Sequence, residues 1–224
     1  LPLLGGKDAA GRLQTLLEHE AGGKILGHDL YLYIRQKTSV WGVDSEYISA
    51  AGLDDLECVW GCTQGFLEAR EGKSIPVLCV FDSEEVGSCS AQGADSGLLE
   101  GVLERICNAL ELDLHTMLSN SMMLSADNAH ALHPNHPQLS DANNAPVPGG
   151  GVVLKFNANQ KYTTDGVSEA VFHQLCKNAG VPVQHFANRS DMPGGSTLGN
   201  ISSTQVAVRA VDVGLPQLAM HSAY

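Results

Sequence analysis

Acidic residues and histidines, the side chains that bind catalytic zinc and other transition metals, are concentrated in four segments of the chain. These segments contain Asp54 and Asp55; Glu84 and Glu85; Asp127 with His130, His133 and His136; and His221. Taken one at a time, each segment has an ordinary interpretation: a helix cap, a solvated acidic loop, polar loop histidines and a structural histidine. Metal binding is the alternative interpretation for these segments, and the residue types alone leave it open.

Glu84 and Glu85 are adjacent carboxylates, which is a costly arrangement unless a positive charge lies near both. The preceding apolar run, Ile75–Phe81, has the length of a buried strand. In an extended segment, neighbouring side chains point to opposite sides. The pattern therefore predicts that one glutamate binds a cation while the other faces a water molecule or a substrate.

The elements that position these residues alternate along the chain. Apolar periodicity predicts helices over Asp8–His19, from Leu56 to Leu67 with one buried stripe, from Leu98 to Leu110 after a Ser96 cap, and over Val167–Ala179. Short apolar runs predict strands at Asp29–Ile34, Ile75–Phe81, Val152–Phe156, Val183–Phe186 and Val211–Val213. This alternation is typical of an α/β sandwich, and the acidic and histidine segments follow strand ends, where open α/β sheets carry their sites.

Composition excludes several classes of protein. The 224 residues include 13 Lys and Arg against 25 Asp and Glu, a formal net charge of −12, which argues against nucleic acid or an anionic membrane surface as a partner. Apolar residues make up 43%, so the chain is not a disordered one. No apolar run approaches the roughly 20 residues of a membrane-spanning helix, and no signal peptide opens the sequence.

The six cysteines include no Cys-x-x-Cys pair. Cys58 and Cys62 lie four residues apart on a predicted helix, which separates their Cβ atoms by about 5–6 Å, too far for a disulfide. Free thiols indicate a reducing compartment, and we predict a cytoplasmic protein.

Five segments resemble the aspartyl aminopeptidase family of dinuclear zinc exopeptidases, in the order that the family has them. They are FDSEEVGSCSAQGADS (81–96), SADNAHALHPN (125–135), VLKFNANQKYTT (153–164), NRSDMPGGSTLG (188–199) and VDVGLPQLAMHS (211–222). The resemblance covers most of residues 29–224. It implies a mixed central sheet sandwiched between helices, and a metal-dependent aminopeptidase that removes N-terminal residues from peptides, acidic ones by preference.

The resemblance also implies a role for each candidate residue. Two zinc ions would share Asp54; Glu85 and His221 would complete the ligands of one. Asp127 and a histidine near the N-terminus of family members would complete the ligands of the other. By the same resemblance Glu84 is the general base, His133 steadies the substrate or the intermediate, and Lys155 meets an acidic side chain of the substrate. Because the family forms dodecamers, a homo-oligomer is expected.

Some features of the family are not matched. No histidine of this chain stands in the sequence context of the family's first zinc histidine, and Ser49–Gly52 lacks the Pro-Arg usual before the Leu-Asp pair. The family inserts a dimerisation domain ahead of the shared aspartate, and residues 1–45 resemble its tail. Residues 46–224 are then a catalytic domain that we expect to be incomplete at both ends. The alternative is a catalytically incompetent fragment or an oligomerisation subunit.

Other enzyme classes fit the sequence less well. A cysteine hydrolase using Cys89 with His130 lacks a third residue to orient the base. A serine hydrolase is disfavoured because no Gly-x-Ser-x-Gly elbow occurs. The glycine-rich segments 149–151 and 194–199 lack the Gly-Lys-Ser/Thr ending of a phosphate-binding loop, so we interpret them as tight turns.

Overall fold

The structure, a computed structural model, describes residues 6–7 and 9–222. The chain divides into two compact units, one extending to Ala51 and the other spanning Gly52–Ser222. All the candidate site residues belong to the second unit. The interpretation of the first unit as the tail of a dimerisation domain stays a prediction.

The first unit contains one helix and one hairpin. Helix α1 (Arg12–Ala21) ends at Gly22, whose φ of 70° is left-handed. The helix predicted over Asp8–His19 therefore forms with bounds shifted toward the C-terminus. The predicted first residue, Asp8, lies outside the described residues. Strands β1 (Ser39–Trp41) and β2 (Tyr47–Ser49) pair antiparallel.

The strand predicted over Asp29–Ile34 is wrong. This stretch belongs to no strand, and the side chains from Tyr31 to Tyr33 are at least 79% exposed. An apolar run becomes a strand only where a neighbouring strand supplies partners for its backbone, and the run itself does not specify that neighbour.

A four-stranded mixed sheet forms the centre of the second unit. Strands β3 to β8 span Met122–Ala126, Ala129–His130, Val152–Phe156, Val183–Ala187, Arg209–Gly214 and Pro216–Gln217. The order in the sheet is β3-β7-β5-β6, with β3 parallel to β7, β5 parallel to β6, and β5 antiparallel to β7. The strands predicted over Val152–Phe156, Val183–Phe186 and Val211–Val213 are therefore confirmed, and so is the mixed α/β fold.

Helices α2 to α6 span Leu53–Leu67, Leu98–Ala109, Leu114–Ser119, Gly166–Ala179 and Leu198–Gln205. The predicted ends of α5 are confirmed: Asp165 and Ser168 form a capping box at its start, and Gly180, with a φ of 68°, ends it. Helix α3 begins where predicted, and the Ser96 hydroxyl accepts a hydrogen bond from the Leu98 backbone N–H, although Gly97 is the capping residue. None of the helices in the described part of the chain is both long and apolar enough to span a membrane.

Two predictions of burial in this unit are wrong. Helix α2 forms, but its predicted stripe is open to solvent: Leu56, Trp60 and Leu67 are at least 65% exposed. The segment Ile75–Phe81 belongs to no strand, although its Cys79 and Phe81 pack against the cluster of Leu99, Leu118 and Val206. In both cases the periodicity indicates which residues can be buried, but burial also needs an element to cover them.

The sheet carries the largest core cluster. Leu154, Val211 and Val213 pack against Phe172 and Cys176 of α5, and all five are buried. This packing fixes α5 against the sheet and holds the strand ends that carry the site.

Candidate metal centre

All seven candidate residues line one cavity of about 610 Å³. They come from five separate segments of sequence, as the motifs require: Asp54, Glu84 and Glu85, Asp127 and His133, Lys155, and His221. The fold therefore brings together residues that lie up to 167 positions apart (221 − 54).

Asp54 is not a helix cap. Gly52 is the capping residue of α2 and no side chain caps it, while Asp54 and Asp55 have non-helical backbone angles inside the assigned helix. The Asp54 side chain is 12% exposed and its Oδ2 lies 3.2 Å from His221 Nε2. The irregular first turn thus directs Asp54 to the cavity.

Glu84 and Glu85 lie on a 3-10 turn, Glu84–Val86, and not on the extended segment that the sequence predicted. Ser83 and Gly87, with φ of 65° and 96°, flank the turn, and a hydrogen bond from the Ser88 backbone N–H to the Ser83 carbonyl closes it. Both glutamates consequently face the same cavity. The predicted extended geometry is wrong because the turn brings both side chains to one side. The predicted division of roles, with one glutamate on a cation and the other facing a water molecule or a substrate, stays a prediction.

His221 approaches the carboxylates from the end of the described chain. Its Nε2 lies 3.2 Å from Asp54 Oδ2 and 3.4 Å from Glu85 Oε2. The short strand β8 brings it there by pairing in parallel with β4, and the Ala131 backbone N–H donates to the Gln217 carbonyl. One imidazole and two carboxylates with ligand atoms within 4.8 Å of one another are a ligand set suited to zinc.

Asp127 follows β3 directly, and its backbone N–H donates to the Val213 carbonyl across the sheet. Oxygen atoms of Asp54, Asp55 and Asp127 form a second group within 4.8 Å of one another. Asp54 therefore belongs to both groups. Asp127 Oδ2 also lies 3.2 Å from Lys155 Nζ, which is almost fully buried.

Burial, with the charges of neighbouring carboxylates, raises the pKa of Glu84, Asp54 and Asp127. Burial, followed by the charges of Asp127, Glu85 and Asp54, raises the pKa of Glu84 to about 7. Burial and then Glu85 raise the pKa of Asp54. Burial raises the pKa of Asp127, although Lys155 opposes the shift. Divalent cations would offset this repulsion, so the residues present fit a metal centre.

His133 and Lys155 line the cavity without joining the cluster of ligands. The His133 Nδ1 accepts a hydrogen bond of 3.2 Å from the Asn135 backbone N–H, so in the neutral ring the Nε2 carries the proton and is a donor. Lys155 Nζ donates to the Asn128 carbonyl at 2.8 Å as well as to Asp127.

Asn128 and Asp55 have no role in the sequence prediction, although both stand next to predicted ligands. The buried Asn128 amide donates to the Leu53 carbonyl at 3.1 Å and to Gln217 Oε1 at 2.8 Å, and its Oδ1 accepts from the Cys58 thiol. It therefore ties together the two segments that carry Asp54 and His221. Burial raises the pKa of Asp55 to about 7, and its buried Oδ1 has no hydrogen-bond partner. The position of Asn128 beside Asp127 in the SADN segment is the sequence feature that could have indicated its role.

Comparisons with known proteins identify the family of the chain. The family model of the aminopeptidase I zinc metalloproteases (M18) matches residues 9–224. A probable M18 family aminopeptidase 2 of Clostridium novyi is 47% identical over 202 residues, which are 89% of this chain and 47% of that protein. The corresponding protein of Pseudomonas paraeruginosa is 43% identical, over 93% of this chain and 48% of its own length. The chain thus spans about half the length of the curated relatives it matches.

Solved structures give the same result for the fold. The S. cerevisiae mApe1 dodecamer structure superimposes with a TM-score of 0.81 and 32% identity, over 94% of this chain and 49% of that one. The family model that matches residues 9–224, the 47% identity over 89% of the chain and the shared fold show that this chain belongs to the M18 family of zinc metalloproteases.

Proposed function

We propose that the protein is a zinc-dependent aminopeptidase, a hydrolase that removes the N-terminal residue of peptides. The observation that carries this proposal is the position of His221 Nε2, 3.2 Å from Asp54 Oδ2 and 3.4 Å from Glu85 Oε2, beside Glu84 in one cavity. Asp54, Glu85 and His221 would supply three ligands for one cation, and the adjacent carboxylate of Glu84 would stay free of it.

Asp54 would be shared between two zinc ions, with Asp127 as a ligand of the second. Asp54 belongs to both clusters of possible metal ligands, the one with Glu85 and His221 and the one with Asp55 and Asp127, which supports this assignment. The cations would lower the pKa of a coordinated water molecule and polarise the scissile carbonyl.

Glu84 would accept the proton of the attacking water and pass it to the leaving amine. Its place in the same cavity, one residue from a ligand, supports this role. The Nε2–H of His133 would donate to the carbonyl oxygen as negative charge develops there.

An acidic N-terminal residue would be preferred. Lys155 and Arg189 line the cavity beside its many carboxylates, and an ammonium or guanidinium group recognises a carboxylate side chain. Comparing kcat/KM for peptides beginning with Asp, Glu and Leu tests the preference, with and without Lys155→Ala. A preference for Leu that the substitution leaves unchanged would contradict it.

The decisive experiment for the activity is Glu84→Gln in the zinc-loaded protein. Gln keeps the size of the side chain but cannot accept the proton, so hydrolysis should fall by at least the roughly 10²–10⁴-fold that general acid–base catalysis contributes. Zinc content, measured by mass spectrometry of the metal, should be unchanged. The matched control is Glu104→Gln, an exposed glutamate of α3, which should keep both. Full activity of the Glu84 variant would refute its role.

A catalytically incompetent subunit is the second candidate. It is favoured by one observation. The ligand group that includes Asp127 contains carboxylates and no histidine, and the positive charge beside Asp127 is the ammonium group of Lys155. Zinc stoichiometry distinguishes the two candidates. Two ions per chain that Asp54→Asn removes, together with hydrolysis, support the peptidase, and a folded protein whose zinc content Asp54→Asn leaves unchanged supports the incompetent subunit.

We also propose that the protein forms a homo-oligomer, by analogy with the mApe1 dodecamer. The exposed apolar side chains Tyr31, Leu32, Tyr33 and Val43 of the first unit support a role in association. Light scattering of the purified protein gives its oligomeric state.

All six cysteines are unpaired in the described residues, which supports the prediction of a reducing, cytoplasmic compartment.

A further inference from the structure

A second cluster of metal-binding side chains lies apart from the cavity. Glu169 and His173 occupy successive turns of α5, and His185 lies on the adjacent strand β6. None of the three lines the cavity, and their side chains are between 33% and 43% exposed.

The three ligand atoms are spaced as a transition metal requires. His173 Nε2 and His185 Nε2 are 3.2 Å apart, and each is 3.6 Å from the same atom, Glu169 Oε1. A circle through three points at these separations has a radius of about 2.0 Å, which is the length of Zn–N and Zn–O bonds in proteins. One cation can therefore lie at bonding distance from all three atoms.

We propose that Glu169, His173 and His185 bind a divalent cation of the zinc class at a site separate from the catalytic centre. Two imidazoles and one carboxylate form a zinc ligand set that leaves a fourth position for water, and the exposure of the site leaves room for that water. Imidazole nitrogen favours Zn²⁺, Ni²⁺ or Cu²⁺ over Ca²⁺ or Mg²⁺, which prefer oxygen ligands.

The scaffold holds the three residues in place before a cation binds. Phe172 and Cys176 of α5 are buried against the sheet, and Val183 of β6 packs on the same cluster. The Phe156 ring meets the His185 ring edge to face, with centroids 5.6 Å apart. A helix and a strand that the core already fixes lose little conformational entropy when the cation joins them.

The proton balance of binding is simple. In the neutral cluster, one Nε2–H donates to the other Nε2 across the 3.2 Å contact. A cation needs both Nε2 lone pairs, so the donating ring changes to its Nδ1–H tautomer: Nε2 gives its proton to solvent, Nδ1 takes one up, and the ring stays neutral. The carboxylate of Glu169 supplies the third lone pair and a negative charge.

Zinc binding tests the site in a protein whose catalytic centre is disabled. With Asp54→Asn and His221→Ala as background, equilibrium dialysis against zinc should leave one equivalent per chain at this site. Adding His185→Gln or His173→Gln should remove that equivalent, and also the rise in Tm that zinc produces by binding the folded state. His115→Gln, at an exposed histidine of α4, is the matched control and should retain both.

Equal zinc content in the His185→Gln, His173→Gln and control proteins would overturn the proposal. Failure of the proposed peptidase activity leaves this result unaffected, since the background already lacks two ligands of the catalytic centre. If the background protein does not fold, the same histidine substitutions in the otherwise unaltered protein should still remove one equivalent of zinc while hydrolysis persists.

Discussion

Lys155 Nζ lies 3.2 Å from Asp127 Oδ2 and donates to the Asn128 carbonyl at 2.8 Å. The lysine is 2% exposed, and Asp127 is 17% exposed. A strand lysine is usually solvated, but Lys155 of β5 is buried beside Asp127 and supplies a positive charge among the carboxylates that line the cavity.

Replacing Lys155 with Met should therefore destabilise the protein by about 3 kcal/mol, because Asp127 loses its partner while it stays buried. The free energy of unfolding from urea denaturation measures the loss. Lys161→Met, at an exposed lysine of the same motif, should change it by less than about 0.5 kcal/mol. Similar values for the two variants would show that the buried pair adds no stability.

Asn128 is predicted to be a positioning residue for the metal centre. In Asn128→Ala, the Leu53 carbonyl and Gln217 lose their donor, so Asp54 and His221 are held less firmly. We expect zinc affinity to fall by about 10–100-fold, the usual effect of removing a residue that orients ligands. Competition with a chelator measures the affinity at temperatures where circular dichroism shows a folded protein. Asn108→Ala, on the exposed side of α3, should leave it unchanged. Equal affinities would assign Asn128 a purely structural role.

Local signals were sufficient to predict part of the fold. Strand β5 is an apolar run between turn residues, and α5 has a stop signal in Gly180, so both were predicted with nearly correct bounds. The segment Ile75–Phe81 has an equally apolar composition, yet it forms no strand. Pairing depends on a neighbour that the segment's own sequence does not describe.

The candidate site residues are predicted only through the order of the motifs, and the structure places them around one cavity. Nothing local to Asp54 or His221 specifies that their side chains meet, since 166 residues separate them (221 − 54 − 1). The turn that brings Glu84 and Glu85 to one side depends on positive φ at Ser83, a conformation that serine seldom adopts and that its identity does not predict. Asn128 was missed because its importance lies in three contacts with distant segments.

Glycines 199 and 101 should respond in opposite ways to substitution by alanine. A Cβ at Gly199 of α6 would lie 2.5 Å from Asp212 Oδ1, and Asp212 cannot retreat because it is fully buried and accepts from the Thr163 and Thr197 hydroxyls. Gly199→Ala should thus cost about 1–3 kcal/mol. A Cβ at Gly101 of α3 meets nothing within 4 Å, so Gly101→Ala should stabilise by about 0.4–1 kcal/mol.

Urea denaturation of the two glycine variants measures both effects. Because the substitution is identical and both positions are helical, helix propensity cancels in the comparison. A stabilised Gly199→Ala would mean that α6 moves away from Asp212 at little cost.

Asp165 should make the stability of α5 depend on pH. Its Oδ1 accepts hydrogen bonds from the Val167 and Ser168 backbone N–H groups at 2.9 and 2.7 Å. The bonds from Ser168 are the largest cause that lowers the pKa of this carboxyl below its ordinary 3.8. A lowered pKa in the folded state means that the contribution is present above the unfolded pKa and is lost as pH falls through the folded one.

At pH 7, Asp165→Ala should therefore lose about 1 kcal/mol, the usual value of a helix cap. The difference between the two proteins should begin to shrink below about pH 4, where the carboxyl of the unfolded chain takes up a proton, and should vanish as pH falls through the lower pKa of the folded state. Asp165→Asn keeps an acceptor oxygen but does not titrate, so it should retain most of the stability of the parent at pH 7 and vary less with acid. Urea denaturation of the three proteins at pH 7, 5 and 3.5 gives these differences. If the difference in free energy of unfolding between the parent and Asp165→Ala stays constant over this range, the carboxylate charge does not contribute to the cap. The hydrogen bonds would then be equally strong for the protonated form.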